Sequence, residues 1–198
     1  MQFTYFDTYK LCYGLNKLDK ILKLNMPLNE IYNLQVLTSN SNGLIKVPKE
    51  IKLLTNLHTI NFFDTYISEL PKEILELPKL EFLQLQCNRF TKIQNEICQL
   101  TNLKGLYMGN NKITYVSSEI GKLTNLEELF LQYNQLMFLP KEIGQLTNLE
   151  ILRIDNNKLI MLPKELTQLT SLQHLYISNN NLMNLPDGLE DLDTVLYI

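Results

Sequence analysis

Several residue types are missing or rare in this sequence of 198 residues. It has no alanine, no tryptophan, only two arginines, and no apolar stretch that approaches the roughly 20 residues of a membrane-spanning helix. The N-terminus lacks the basic start and apolar run of a secretory signal. Charges of both signs are interspersed at a net charge of −3, so the chain offers no basic patch for nucleic acid. We therefore expect neither membrane insertion nor nucleic-acid binding.

Cysteine is also scarce. Cys12, Cys87 and Cys98 are odd in number and have no paired spacing, and no asparagine lies in an Asn-x-Ser/Thr sequon. We therefore expect free thiols and a reducing, cytoplasmic location. If the protein acts on a host, that location is the cytoplasm of the host cell. Abundant Asn, Lys and Ile beside the missing alanine are typical of an AT-rich genome.

What the sequence does contain is an internal repeat of 23 residues. Seven units begin at Leu34, Leu57, Leu80, Leu103, Leu126, Leu149 and Leu172. If that leucine is position 1, positions 4, 11, 14, 18 and 21 are apolar in every unit, and position 6 is apolar in all but the first. We therefore divide the chain into an N-terminal cap over 1–33, seven repeats over 34–194, and the start of an eighth strand over 195–198.

Each unit is predicted to contribute one short strand, near positions 3 to 7, to a parallel sheet. Positions 4 and 6 then point to one side, which stacked units bury together. Asparagine recurs at position 9, where its amide can bond backbone groups of the turn: Asn42, Asn88, Asn111, Asn134, Asn157 and Asn180. Thr65 interrupts this asparagine ladder and is a predicted weak point. Proline at position 15 in five units predicts a short helical turn opposite the strand.

The stretch LTNLEELFLQYNQLMFLPKEIGQLTNL resembles the leucine-rich repeat family in its 23-residue LPxxIxxLxxL class. The resemblance covers Leu34 to Thr194. It implies an α/β solenoid, a leucine-rich repeat horseshoe with a parallel concave sheet and short helical or 3₁₀ turns on the convex side. The class includes intracellular scaffolds, bacterial repeat proteins and proteins of amoeba-infecting giant viruses. The composition favours a giant virus as the source, with a bacterium as the alternative.

The two ends of the array differ. Four leucines precede the first repeat at helical spacing: Leu11, Leu15, Leu18 and Leu22. They predict an amphipathic helix that covers the first unit, with a degenerate repeat or a partner- or membrane-binding helix as alternatives. At the other end, acidic residues after Pro186 suggest a polar cap, whereas Val195 to Ile198 would leave an open strand edge.

The candidate catalytic side chains lie too far apart to act together. Strands stack about 4.8 Å apart, so four units separate Cys87 from His174 by roughly 19 Å. His58 is about 20 Å from Cys87 along the strand direction. No Cys or His spacing fits zinc, and no Gly-rich loop fits phosphate. We therefore expect no enzymatic activity, no metal and no cofactor.

Side chains at positions 3 and 5 alternate with the buried leucines and are expected to face solvent on the concave side. From the third unit onward, four of these ten side chains are Phe or Tyr, and Ile151, Arg153 and His174 are among the others. They predict one partner-binding patch: Phe82, Tyr107, Phe130, Ile151, Arg153, His174 and Tyr176. Aromatic residues and arginine are enriched at interface hot spots. The alternative is that cross-strand aromatic neighbours only stabilise the sheet.

The sequence thus predicts a protein-interaction module, a monomer that holds a protein partner, such as a host protein, on its concave face. Two alternatives stay open. One is a structural unit that self-associates through its C-terminal strand. The other is the repeat part of a larger effector enzyme.

Overall fold

The computed structural model describes residues 5–39 and 43–198. Within them, two helices come first, α1 (Tyr5–Leu22) and α2 (Leu28–Tyr32). Eight strands follow: β1 (Val36–Thr38), β2 (Thr59–Asn61), β3 (Phe82–Gln84), β4 (Gly105–Tyr107), β5 (Glu128–Phe130), β6 (Ile151–Arg153), β7 (His174–Tyr176) and β8 (Val195–Tyr197). They pair in parallel and in sequence order, which confirms the predicted solenoid.

A 3₁₀ helix lies between each pair of successive strands. Their bounds are Lys49–Leu53, Lys72–Glu76, Ile97–Gln99, Ser118–Lys122, Lys141–Gln145, Lys164–Gln168 and Leu189–Asp191. Proline precedes four of these helices as the N-cap residue, in extended conformation. Its carbonyl accepts the first bond of the helix, as when Ile51 N donates to Pro48 O at 3.1 Å. In the fourth unit Ser117 takes this place, and its hydroxyl accepts a bond from Glu119 N.

The strands cover positions 3 to 5 and are shorter than the predicted span of positions 3 to 7. The reason is a left-handed residue at position 8 that turns the chain away from the sheet. Residues with φ between 51° and 57° stand there in units two to seven: Asp64, Cys87, Asn110, Tyr133, Asn156 and Asn179. The backbone N–H at position 6 still bonds the next unit, for example Leu85 N to Tyr107 O at 2.8 Å.

One continuous apolar core runs through the stacked units. The predicted apolar positions contribute to it except Leu185 in the seventh unit, which is 37% exposed, and α1 adds Leu15, Leu18 and Leu22. Helix α1 lies beside the first 3₁₀ helix, where Lys17 Nζ is 2.6 Å from Glu50 Oε1. Burial tends to raise the pKa of Glu50, but the hydrogen bond and charge of Lys17 outweigh this effect and lower it. Within the described residues, no helix is long and apolar enough to cross a bilayer.

The asparagine ladder links each unit to the preceding one. Asn134 Oδ1 accepts a bond from Ile113 N at 2.9 Å, and its Nδ2 donates to Met108 O and Leu131 O at 3.0 Å. Four other asparagines repeat this pattern: Asn88, Asn111, Asn157 and Asn180. Thr65 stays in the ladder through a 2.7 Å bond from its hydroxyl to Asn88 Oδ1. Asn42 lies outside the described residues.

The seventh repeat is two residues shorter than the others. Counting 23 residues onward would place Ile198 opposite Leu175, and the step observed from Leu175 to Leu196 is 21 residues. Strand β8 pairs Leu196 with Leu175 and Val195 with His174. Burial decides this register, because Leu196 packs against the core whereas Ile198 is 82% exposed. Strand β8 lies within residues 195–198, two residues earlier in register than a uniform 23-residue step would place it.

We expect Asn134→Ala to destabilise the fold by about 3 kcal/mol, because it leaves buried backbone groups of two units unpaired. Asn148 is the matched control, since its exposed amide makes a single bond, to Thr124 O at 2.8 Å. Asn148→Ala should cost less than about 1 kcal/mol. Urea unfolding measures the free energy of unfolding of both variants. Equal losses would show that a ladder asparagine stabilises the fold no more than an exposed one.

Candidate functional site

The predicted concave patch lies on β3 to β7, in two columns set by the strand register. Position 3 contributes Phe82, Ile151 and His174, and position 5 contributes the other four residues: Tyr107, Phe130, Arg153 and Tyr176. All seven are half-buried rather than fully open to solvent as expected. The reason is that most of them pack on neighbours of their own row, so the patch has a defined shape before any partner arrives.

From β4 onward, the position 5 column is an unbroken row of rings and one guanidinium. The rings of Tyr107 and Phe130 meet edge to face with centroids 5.0 Å apart. The Arg153 guanidinium carbon lies 5.8 Å from the Phe130 centroid and 4.7 Å from that of Tyr176. Tyr176 stacks on Tyr197 at 4.1 Å with an interplanar angle of 3°. We call these five residues the concave row.

Two carboxylates fix side chains of the concave row. Tyr107 donates its hydroxyl hydrogen to Glu128 Oε2 at 2.8 Å. Burial, together with that bond to Glu128, raises the pKa of Tyr107 and keeps the phenol protonated. Arg153 Nε lies 3.3 Å from Asp155 Oδ1, which holds its guanidinium between two rings. Such pre-ordered side chains lose little freedom when a partner binds.

Because Gly105 has no side chain, the Phe82 ring can lie next to the concave row. A Cβ at this position would lie 2.6 Å from the Tyr107 hydroxyl and 2.8 Å from Phe82 Cδ1, so both rings occupy the space that glycine leaves. At the other end, the His174 ring centroid is 6.4 Å from Tyr176 and 6.1 Å from Tyr197.

Tyr197 belongs to the concave row but is absent from the predicted patch. The 23-residue count placed it at position 3 of an eighth unit, whereas the shorter seventh repeat places it opposite Tyr176. The signal was in the sequence: the Leu-Tyr pair at 196–197 repeats the Leu-Tyr pair at 175–176. Matching that pair instead of counting residues would have found it.

Among the residues that the structure describes, the remaining polar groups do not assemble into a reactive centre. A groove of about 640 Å³ runs beside the sheet and is lined by Glu81, Lys104, Glu127, Glu150 and several asparagines. Lys104 Nζ pairs with Glu81 Oε2 at 3.1 Å, and the asparagines bond backbone carbonyls of the preceding unit. In the described part of the chain, no three His, Cys, Asp or Glu residues are grouped to hold a metal ion.

The three cysteines are free, as predicted. Cys98 is fully buried. Burial, with a contribution from Glu119, raises its pKa to about 11. Burial and the charge of Asp64 also raise the pKa of Cys87. Neither thiol is activated as a nucleophile would be.

A family profile described as "Leucine-rich repeat region" matches residues 15–137, and a second, "Leucine Rich Repeat", matches residues 171–192. The chain belongs to the leucine-rich repeat family. Proteins of this family typically act as non-enzymatic modules that bind other proteins. No curated protein gives a significant match to this leucine-rich repeat chain.

Solved structures of bacterial leucine-rich repeat proteins share the fold. A leucine-rich repeat protein of Leptospira interrogans is 35% identical at a TM-score of 0.80, over 88% of this chain and 45% of that one. An internalin (inlF) of Listeria monocytogenes is 24% identical at a TM-score of 0.70, over 85% of this chain and 49% of that one. Internalin C2 of the same organism is 22% identical at 0.66, over 92% of both chains. This chain thus spans about half of the first two proteins.

Tyr133 is the bulkiest residue at the left-handed position 8, where four of six units carry Asn or Asp. A non-glycine residue other than Asn or Asp is disfavoured there. We expect Tyr133→Asn to stabilise the fold by about 0.5–1 kcal/mol, and Asn110→Tyr to destabilise it similarly. Thermal melting of both variants measures this, and a lower melting temperature for Tyr133→Asn would contradict the explanation.

We expect Cys98 to stay unreactive in the folded protein. With a pKa of about 11, roughly one thiol in a thousand is ionised at pH 8, and burial blocks the reagent. Titration with a chromogenic disulfide reagent at pH 8 should therefore detect at most two thiols before unfolding and three in urea. Cys98→Val should remove only the thiol that appears on unfolding. Three fast thiols in the native wild type would contradict its burial.

Proposed function

We propose that this protein is an interaction module that binds a protein partner on its concave face, along the concave row and the neighbouring Phe82, Ile151 and His174. The observation that carries the proposal is the unbroken contact of rings and guanidinium across β4 to β8. A contiguous patch of this kind indicates an interface more strongly than scattered apolar residues do.

The size of the row suits a segment of a partner protein. Five strands about 4.8 Å apart give a row roughly 19 Å long, enough for a short helix or an extended peptide. Tyrosine, phenylalanine and arginine supply large contact areas on side chains that are already ordered, which lowers the entropic cost of binding. We place this activity in a reducing cytoplasm, that of a host if the partner is a host protein.

Self-association through the C-terminal strand is the second candidate. It rests on the edge of β8, where Val195 is 51% exposed and the backbone can pair with another strand. Light scattering on the purified chain separates the two candidates, because a monomer at micromolar concentration excludes self-association.

A role as the repeat part of a larger effector enzyme is the third hypothesis. The length of the open reading frame tests it.

We expect Phe130→Ala and Arg153→Ala each to weaken binding of the partner roughly 30-fold or more, as for anchors worth about 2 kcal/mol. Because the row packs on itself, each should also cost about 1 kcal/mol of stability. Thr38→Ala is the matched control, at position 5 of the first unit and outside the row.

The partner is isolated by affinity capture with the wild type, identified, purified, and titrated at a temperature where every variant is folded. Wild-type affinity in both row variants would mean that the concave row is scaffold. A loss in Thr38→Ala as large as theirs would place the interface elsewhere on the sheet.

A further inference from the structure

A second set of exposed apolar side chains lies outside the concave face. They occupy positions 12 and 13, in the segment between the asparagine turn and the proline, in units four to seven. The set comprises Tyr115, Met137, Phe138, Ile160, Met161 and Met183. Apart from the partly buried Ile160, each is between 47% and 81% exposed. We call this surface the methionine flank.

The repeat itself does not require apolar residues at these positions. The second and third units carry Ser68, Glu69, Thr91 and Lys92 there, and their cores are equally well buried. The flank holds three of the six methionines of the chain. Exposed methionine is typical of surfaces that adapt to an apolar partner. Folding alone therefore does not explain the change from polar to apolar residues at the fourth unit.

Successive units align the flank into one strip. Ile160 N donates to Met137 O at 3.2 Å, and Met183 N donates to Ile160 O at 3.3 Å, so position 12 of these successive units lies in register. Phe138 and Met161 line a pocket of about 370 Å³, together with prolines of the sixth and seventh units. This pocket is wide enough to receive one large apolar side chain.

Lysines border the strip on both sides. At positions 10 to 16 of units four to seven, four of the five charged residues are lysines, namely Lys112, Lys141, Lys158 and Lys164, and the fifth is Asp187. None of the four forms an ion pair with another described residue. A positive border is notable on a chain whose net charge is −3. A ligand that complements this surface has an apolar face with acidic residues next to it.

We propose that the methionine flank is a docking surface for an amphipathic helix of a partner protein, with a large apolar anchor and flanking Glu or Asp. The strip spans three strand steps, about 14 Å, which corresponds to roughly ten residues of helix. The pocket favours a helix over a lipid surface, because a single anchor side chain fills it whereas acyl chains need no such pocket. This surface is independent of the concave row.

The test uses a displayed library of helical peptides of about 14 residues. Their apolar face is fixed, and Glu and Lys occur with equal frequency at the other positions. Peptides selected on the wild type are titrated by fluorescence anisotropy against Phe138→Asn/Met161→Asn. The matched control is Ile45→Asn, at position 12 of the first unit, where Ile45 is 70% exposed. Phe130→Ala controls for the concave row.

We expect selected peptides to be rich in Glu beside the apolar face, and the double variant to bind them at least tenfold more weakly. Ile45→Asn and Phe130→Ala should retain wild-type affinity, and Lys164→Glu should weaken binding. An absence of enrichment, selection of Lys-rich peptides, or unchanged affinity in the double variant would overturn the proposal. So would a wild-type dimer that the double variant abolishes, or flank-dependent binding to phosphatidylcholine–phosphatidylserine vesicles without peptide binding.

Discussion

The buried amide at position 9 is the constraint on which the other features depend. Each ladder asparagine bonds its own turn and backbone groups of the preceding unit, as Asn134 does with Ile113 and Met108. A slip of one residue between neighbouring units would break these bonds and leave buried backbone groups unpaired. Units therefore stack position upon position. Any residue type that recurs at one position becomes a column in space, and every candidate surface of this protein is such a column.

That rule explains why so much of the fold could be predicted from the sequence. The buried positions, the parallel order and the side of the solenoid on which each residue lies follow from counting in steps of 23. Counting failed where the steps are not uniform. The seventh repeat is shorter, and burial of Leu196 rather than the count sets the register of β8. The strand lengths were overestimated because only the left-handed residue at position 8 reveals where the chain leaves the sheet.

The candidate site was predictable as a set of positions but not as a set of contacts. Position 5 indicated which residues share the concave face, yet not that Tyr107 turns toward Glu128 over Gly105, or that Arg153 lies between two rings. These contacts change the interpretation, because stabilising the sheet and binding a partner are not exclusive roles. Rings that pack on one another form a rigid surface, and a rigid surface binds at lower entropic cost. The source organism stays a prediction from composition.

Both proposed surfaces begin near the middle of the array, on different faces of the same units. The first two units are polar at position 5, with Thr38 and Asn61, and the second and third are polar on the flank. In a solenoid each unit contacts only its neighbours, so an apolar column on one face affects packing locally and leaves distant units unchanged. Separate columns can therefore acquire separate partners without redesign of the core. Here units four to seven would present, together with β8, a rigid aromatic row to one partner, and by themselves an adaptable methionine strip to another.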